Sequence, residues 1–231
     1  MIVNNVSIRS DKLPVTFDQS EKRCCVICSK QDEDTTVLLR KLGGLETLAK
    51  SEVVQFETTN RSESGATEPE IGYFFKRGIL LSNLSLQENI ALPYKYFHPE
   101  SNWSHFEDKV AKWVEFFKLD VDISLRPSAV NYSNQKLISY VRNLILQPDI
   151  YILDDPFFQL SCIFRKKIVD CLLLLKEHNN FLVIGTSDLE LIELLADDII
   201  VLEKGELIGK YALTDDKREQ SLKLVYDYLN E

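Results

Sequence analysis

No stretch of this 231-residue sequence approaches the roughly 20 consecutive apolar residues that a membrane-spanning helix requires. Its first residues, Met1-Ile2-Val3-Asn4-Asn5-Val6, lack the basic start and apolar core of a secretory signal. A surplus of positive charge is missing too. The 27 Lys and Arg stand against 36 Asp and Glu, a formal net charge of −9, which argues against a basic face for nucleic acid. That charge leaves room for docking to a membrane protein, where contacts can be local and apolar. Five cysteines are an odd set, so a fully paired disulfide framework is excluded and reduced thiols in the cytosol are expected. Cys25-Val26-Ile27-Cys28 has CxxC spacing, but the run is strand-like and residues three apart on a strand face opposite sides. The pair is therefore expected to be buried rather than to hold a metal or act in redox chemistry. Internal repeats and low-complexity tracts are absent.

What is present fits a globular α/β chain. Apolar residues make up 45% and charged residues 27%, and the length suits one large domain able to bury a sizeable core. Short apolar runs at 23–29, 149–154 and 181–186 fit strands of a sheet covered on both faces. Helical patterns lie between them, over 161–176 with Ile163, Phe164, Ile168, Leu172 and Leu175, and over 189–196. This alternation predicts a mainly parallel sheet with crossover helices. Asp198–Leu202 and Glu206–Ile208 flank Glu203-Lys204-Gly205, a hairpin signal. The spacing predicts a last helix over 220–229 that buries Leu222, Leu224, Val225 and Leu229. Weaker strand patterns occupy 3–9 and 13–17, and the polar stretch 58–70 reads as a surface loop or flexible hairpin. In the middle, 104–118 places Phe106, Val110, Trp113, Val114 and Phe117 on one helical face, and 134–146 forms a second helix with no strand between. The expected architecture is a single domain over 1–231. Its core is 1–78 and 149–231, with a small antiparallel β part and a helical subdomain inserted at 79–148.

One segment carries the chemistry. Asp149-Ile150-Tyr151-Ile152-Leu153-Asp154-Asp155-Pro156 is an apolar strand that ends in two carboxylates, a tip that can hold Mg²⁺ beside a nucleotide phosphate. Its order relative to other segments resembles the nucleotide-binding subunits of ABC transporters along almost the whole chain. The family's G-x-x-G-x-G-K-[ST]-T-L loop is matched by Ser29-Lys30-Gln31-Asp32-Glu33-Asp34-Thr35-Thr36-Val37-Leu38. Its three glycines are replaced, Thr35 stands at the lysine position, and only Thr36 keeps a hydroxyl where Mg²⁺ would bind. Glycine lets successive backbone N–H groups curl around phosphate. Three acids instead repel it, by about 1 kcal/mol per pair at about 4 Å in water and about 4 kcal/mol where partly shielded. Such acids also suit the start of a helix.

The remaining landmarks follow the same pattern. Ile71–Leu80 resembles the strand and Q-loop, with Lys76 at the glutamine position. Leu81-Ser82-Asn83-Leu84-Ser85-Leu86-Gln87-Glu88-Asn89-Ile90-Ala91-Leu92-Pro93 is similar to the L-T-V-x-E-N-V-x-x-P stretch that grips a permease in importer and lipid-trafficking subunits. A partner groove over Leu80, Leu84, Glu88, Asn89, Ile90 and Leu92 is implied. The L-S-G-G-Q signature falls on Val130-Asn131-Tyr132-Ser133-Asn134, where Asn131 and Ser133 are vestigial nucleotide positions and Asn131 is expected to cap the next helix. Asp154 matches the Mg²⁺-associated aspartate and Asp155 the catalytic glutamate. One methylene too few matters, since a misplacement of about 1 Å can cost about 10²-fold in rate. Ser161 stands at the D-loop aspartate and Ser187 at the switch histidine; His98, His105 and His178 lie elsewhere. Leu195–Gly205 matches the family's L-A-D-R-I-x-V-L-x-x-G.

The resemblance implies a P-loop NTPase fold with its catalyst lost, a pseudo-ATPase without a nucleotide cofactor. Its expected setting is cytoplasmic, peripheral at the inner face of the membrane. It would dock a permease, possess a homodimeric or heterodimeric ATPase-like partner, and belong to a transport complex of lipid-trafficking flavour. Two alternatives stand beside it: a weak ATPase using Thr36, Asp154, Asp155, ATP and Mg²⁺ with Lys30 or a partner arginine as cation, and a soluble scaffold with no transporter role.

Overall fold

A computed structural model describes residues 2–9, 15–18, 24–59, 69–178 and 180–230. In chain order the strands are β1 (Ile2–Arg9), β2 (Val15–Asp18), β3 (Cys24–Ser29), β4 (Val53–Thr59), β5 (Ile71–Phe74), β6 (Ile150–Asp154), β7 (Phe181–Gly185), β8 (Asp198–Glu203) and β9 (Glu206–Ala212). The helices are α1 (Asp32–Leu42), α2 (Leu86–Phe97), α3 (Trp103–Phe116), α4 (Tyr132–Leu144), α5 (Cys162–Glu177), α6 (Leu189–Leu195) and α7 (Arg218–Asn230).

The continuous apolar runs become central strands because both of their faces are covered. All residues of β3, β6 and β7 are buried. The six-stranded sheet has the order β5-β6-β7-β3-β8-β9, parallel except for β9, which returns antiparallel to β8. That return is a two-residue turn with Lys204 at φ 50° and Gly205 at φ 76°, the left-handed pair a tight hairpin needs. A second, antiparallel sheet has the order β2-β1-β4. The fold is therefore the expected α/β arrangement with a mostly parallel sheet and a small antiparallel one.

Strand alternation divides the core into two layers. Cys24, Val26 and Cys28 point to the layer that contains Ile90, Phe106, Leu137, Tyr140, Ile168 and Leu191. Cys25 and Ile27 point to the other layer, with Leu38, Leu39 and Leu42 of α1 and with Val6 and Ile8 of β1. Cys25 and Cys28 thus lie on opposite sides of the sheet, as residues three apart must. Burial pushes the thiols of Cys24 and Cys28 up to about 12, so both stay protonated near neutral pH. Close packing of α1 on the sheet uses Gly185, where a Cβ would lie 2.6 Å from Leu39 Cδ1.

The stretch between β5 and β6 is helical. α2 begins with a capping box, in which Ser85 Oγ accepts from the Glu88 N–H and the Glu88 carboxylate accepts from the Ser85 N–H. α3 buries Phe106 and Val110 on the expected face, and Phe117, which caps its C-terminal end, is buried too. Three readings of the sequence need correction or completion. β4 was not foreseen, because Val53-Val54-Gln55-Phe56-Glu57-Thr58-Thr59 breaks clean alternation at its start. Leu224 of α7 is exposed rather than buried, since α7 has a narrow inner face centred on Ser221 and Val225. Of the predicted loop 58–70, residues 60–68 lie outside the described residues, as do 13 and 14 of the weak strand pattern at 13–17. Among the described residues no helix is long and apolar enough to cross a membrane.

Candidate functional site

The carboxyl ends of β3, β6 and β7 converge, and the side chains singled out from the sequence meet there. β3 delivers Ser29, and α1 starts at Asp32, three residues further on. Ser29 Oγ donates to Asp34 Oδ2 at 3.0 Å and accepts from the Gln31 N–H at 3.1 Å. Asp32, Glu33 and Asp34 form the first helical turn, where negative charge is favourable. The positions of the second and third family glycines therefore lie inside a helix. Among the described residues, none from 29 to 36 has positive φ, so no phosphate nest forms. Thr35, at the lysine position, is buried and donates its hydroxyl to the Asp32 carbonyl at 2.8 Å. Thr36 Oγ1 donates to Asp154 Oδ1 at 2.8 Å, linking α1 to the tip of β6.

Asp154 is buried, and burial holds its carboxyl above the ordinary aspartate range against the opposing effect of the Thr36 bond. The Tyr73 hydroxyl nearby is buried, and burial and Asp154 push its pKa up against the opposing effect of Arg40. Asp155 leaves the strand with φ 39° and donates its N–H to the Gly185 carbonyl at 2.9 Å. Ser187, at the switch-histidine position, donates Oγ to the Ser29 carbonyl at 2.7 Å and so ties the exit of β7 to that of β3.

Lys76 sits at the centre. Its ammonium lies 2.7 Å from Asp32 Oδ2 and 3.3 Å from Asp155 Oδ2, with the Phe158 ring 4.7 Å beneath. Burial alone would lower its pKa, but the bonds to Asp32 and Asp155 outweigh burial and the net shift is upward. Asn131 and Ser133 stand apart at the start of α4, where Asn131 Oδ1 accepts from the Asn134 N–H at 2.9 Å and caps the helix.

Two residues of this corner were missed. Lys136 of α4 is fully buried, and its ammonium donates to the carbonyls of Asp155 and Phe158 at 3.2 Å each. Burial pulls its pKa down to about 8, with Asp155 and Asp154 opposing. The signal was present: Tyr132, Lys136, Tyr140 and Leu144 recur every four residues, so the lysine falls on the inner stripe of α4. Gly78 makes room for it, since a Cβ there would lie 2.5 Å from Lys136 Cα. Gly78→Ala should cost about 2 kcal/mol, because backbone rather than a flexible side-chain end must yield, and urea titration would measure it. Tyr228 of α7 is the second missed residue. Its hydroxyl donates to the Leu202 carbonyl at 2.9 Å and its ring lies 4.6 Å from Lys30 Nζ, over the paired ends of β3 and β8.

The implied partner groove is only partly a surface. Leu80 and Leu84 are half-buried, Glu88 is spent in the capping box, and Leu92 is 52% exposed. Asn89 and Ile90 are buried and do not line an open groove, which corrects the expectation for both. The helical period of α2 turns Leu86, Ile90 and Tyr94 inward and Glu88, Leu92 and Tyr96 outward. The exposed apolar residues here are Ile79, Leu81, Leu92, Tyr96 and Phe97.

This order of strands, with α1 rising from β3 and a carboxylate-tipped β6, is the P-loop NTPase type of fold found in ABC ATPase domains. A solved ATP-binding subunit of an ABC transporter matches with TM-score 0.77 and 17% identity, over 100% of both chains. A dimeric ATP-binding cassette in a post-hydrolysis state with ADP and phosphate matches with TM-score 0.72 and 18% identity, over 93% of this chain and 99% of that one. The sequence agrees: the chain is similar to ABC-transporter ATP-binding subunits. It is 26% identical over 220 residues to the sulfate/thiosulfate import ATP-binding protein CysA of Escherichia coli (strain K12), which is 94% of this chain and 60% of that protein. The corresponding protein of Yersinia pseudotuberculosis is 25% identical over 236 residues, 99% of this chain and 65% of the relative. The chain thus spans less than two thirds of the length of these relatives. No protein-family profile matches it.

Proposed function

We propose that this chain is a non-catalytic ABC-type subunit, which serves a transport complex by docking a membrane permease or an ATPase subunit rather than by hydrolysing ATP. The observation that carries the reading is Lys76, whose ammonium is paired with both Asp32 and Asp155, so that both carboxylates and the space between them are taken up where a nucleotide's divalent metal would need them. Magnesium and ATP fit these residues poorly. A phosphate at the start of α1 would face Asp32, Glu33 and Asp34, and like charges about 4 Å apart cost about 1 to 4 kcal/mol per pair.

The exposed apolar residues Ile79, Leu81, Leu92, Tyr96 and Phe97, all in the stretch 79–97, support docking and speak against a free scaffold, because apolar surface concentrated in one segment suits partner contacts. In this reading 1–78 and 149–231 form the core and 79–148 the helical part that meets the permease. The location is cytoplasmic, at the inner face of the membrane. The 81–93 stretch is what leans toward lipid transport, whereas the relatives named above import sulfate or thiosulfate. Either a second copy or an intact cassette serves as the ATPase-like partner.

Calorimetry of the purified protein with Mg²⁺–ATP tests the proposal. The expected outcome is no binding up to about millimolar nucleotide, a binding free energy no more favourable than about −4 kcal/mol, with phosphate release at the buffer rate. Micromolar binding would favour the weak-ATPase reading, for which the retained Thr36–Asp154 contact is the one favourable observation.

A further inference from the structure

Separate segments of the chain meet at the turn after β6. Asp155 and Gln159 in that turn have left-handed backbones, φ 39° and φ 54°, which persist in non-glycine residues only where neighbours hold them. Here the neighbours are two ammonium groups from different segments. Lys136 of α4 grips the backbone, donating to the carbonyls of Asp155 and Phe158. Lys76, in the segment after β5, grips the side chains, pairing with the Asp155 carboxylate and lying over the Phe158 ring. Its shorter bond crosses to Asp32 at the start of α1. One lysine therefore joins α1 to the turn, and the other joins α4 to the same turn.

We propose that Lys76 is a tethered cation, occupying the place between Asp32 and Asp155 that a free divalent ion would take and keeping the turn after β6 locked to α1 without any ligand. The inference rests on the non-catalytic reading and deepens it: the corner is filled by the chain's own charge. The chemistry favours such an occupant. An ammonium is a compact point charge with three donors, able to serve two carboxylates and an aromatic face together. Being attached, it forfeits no translational freedom on binding, whereas a free ion must. The arm to Asp32 is the shorter, 2.7 Å against 3.3 Å, while the Asp155 side chain is the less exposed of the two, 26% against 61%.

The test uses Mn²⁺ alone as probe, followed by water-proton relaxation, with hydrogen exchange of residues 155–160 measured in parallel. Wild type is expected to bind Mn²⁺ only at background level. Lys76→Gln should gain a site at least about tenfold tighter, because a positive charge within a few ångströms of the ion is gone. Lys76→Gln combined with Asp155→Asn should lose that gain. Exchange in the turn should accelerate in Lys76→Gln. A wild type that binds Mn²⁺ as well as Lys76→Gln, or a folded Lys76→Gln that gains no site, overturns the proposal. If Lys76→Gln does not fold, Asp32→Asn at its exposed position decides: faster exchange at 155–160 supports the tether, and unchanged exchange overturns it. The assay contains no nucleotide, so ATP binding by wild type would sink the functional reading without deciding the role of Lys76.

Discussion

The stability difference between Lys136→Met and wild type is expected to move by about 3 kcal/mol in favour of wild type as the pH rises from 7 to 10.5. The Lys136 ammonium titrates at about 8 in the folded protein against 10.5 in the unfolded chain. Below pH 8 it is charged in both states, and the folded state bears the full cost of a buried charge. Between the two values only the unfolded chain holds the proton, so stability rises with pH through this window. Methionine fills a similar volume and has nothing to titrate. It also leaves the Asp155 and Phe158 carbonyls without their donor, a loss that offsets the relief at neutral pH but is the same at every pH. The buried thiols act in the opposite direction. Their raised values favour the unfolded state above pH 9, but they are common to both proteins and cancel in the difference. Urea titrations at half-unit pH intervals measure it, and a flat difference would mean that the ammonium is not desolvated.

Asn89→Ala is expected to destabilise the protein by about 3 kcal/mol, at about 1 kcal/mol for each well-formed bond lost. The Asn89 side chain is buried and organises the loop before α2. Its Oδ1 accepts from the Leu81 N–H at 2.6 Å, and its Nδ2 donates to the carbonyls of Leu81 at 3.0 Å, Ser85 at 2.9 Å and, more weakly, Leu84 at 3.4 Å. Alanine strands these groups where water does not reach easily, and Leu81, an exposed apolar residue of the proposed docking face, loses its anchor. Chemical denaturation would measure the loss. A cost below about 1 kcal/mol would show that the loop finds other partners and that Asn89 is a passenger.

The parallel core could be read from the sequence because runs such as Cys24-Cys25-Val26-Ile27-Cys28 have only one stable use, a strand covered on both faces. Capping was legible for the same reason: Asn131 before a helical pattern has a defined partner two or three residues on. The site was legible as a set of positions, because strand tips in a parallel sheet must meet. Thr36, Lys76, Asp154, Asp155, Ser29 and Ser187 are there, joined by short bonds. The bonds themselves could not be read. Whether Lys76 faces water or two carboxylates depends on residues 44 and 79 positions away. Lys136 was passed over because a lysine suggests a surface, although its place on the inner stripe of α4 said otherwise. The error at Asn89 and Ile90 had the opposite origin: similarity to a docking stretch outweighed the helical period of α2, which turns both inward.

The division of β3 between two layers has a practical side. Four of the five thiols, Cys24, Cys25, Cys28 and Cys171, are sealed in the core, while Cys162 at the start of α5 is open to solvent. The native protein therefore presents one sulfhydryl to a water-soluble alkylating reagent, and the denatured chain presents all five. A dye can be attached at a single known point without removing any cysteine, and the rate at which the other four become reactive counts global opening events molecule by molecule.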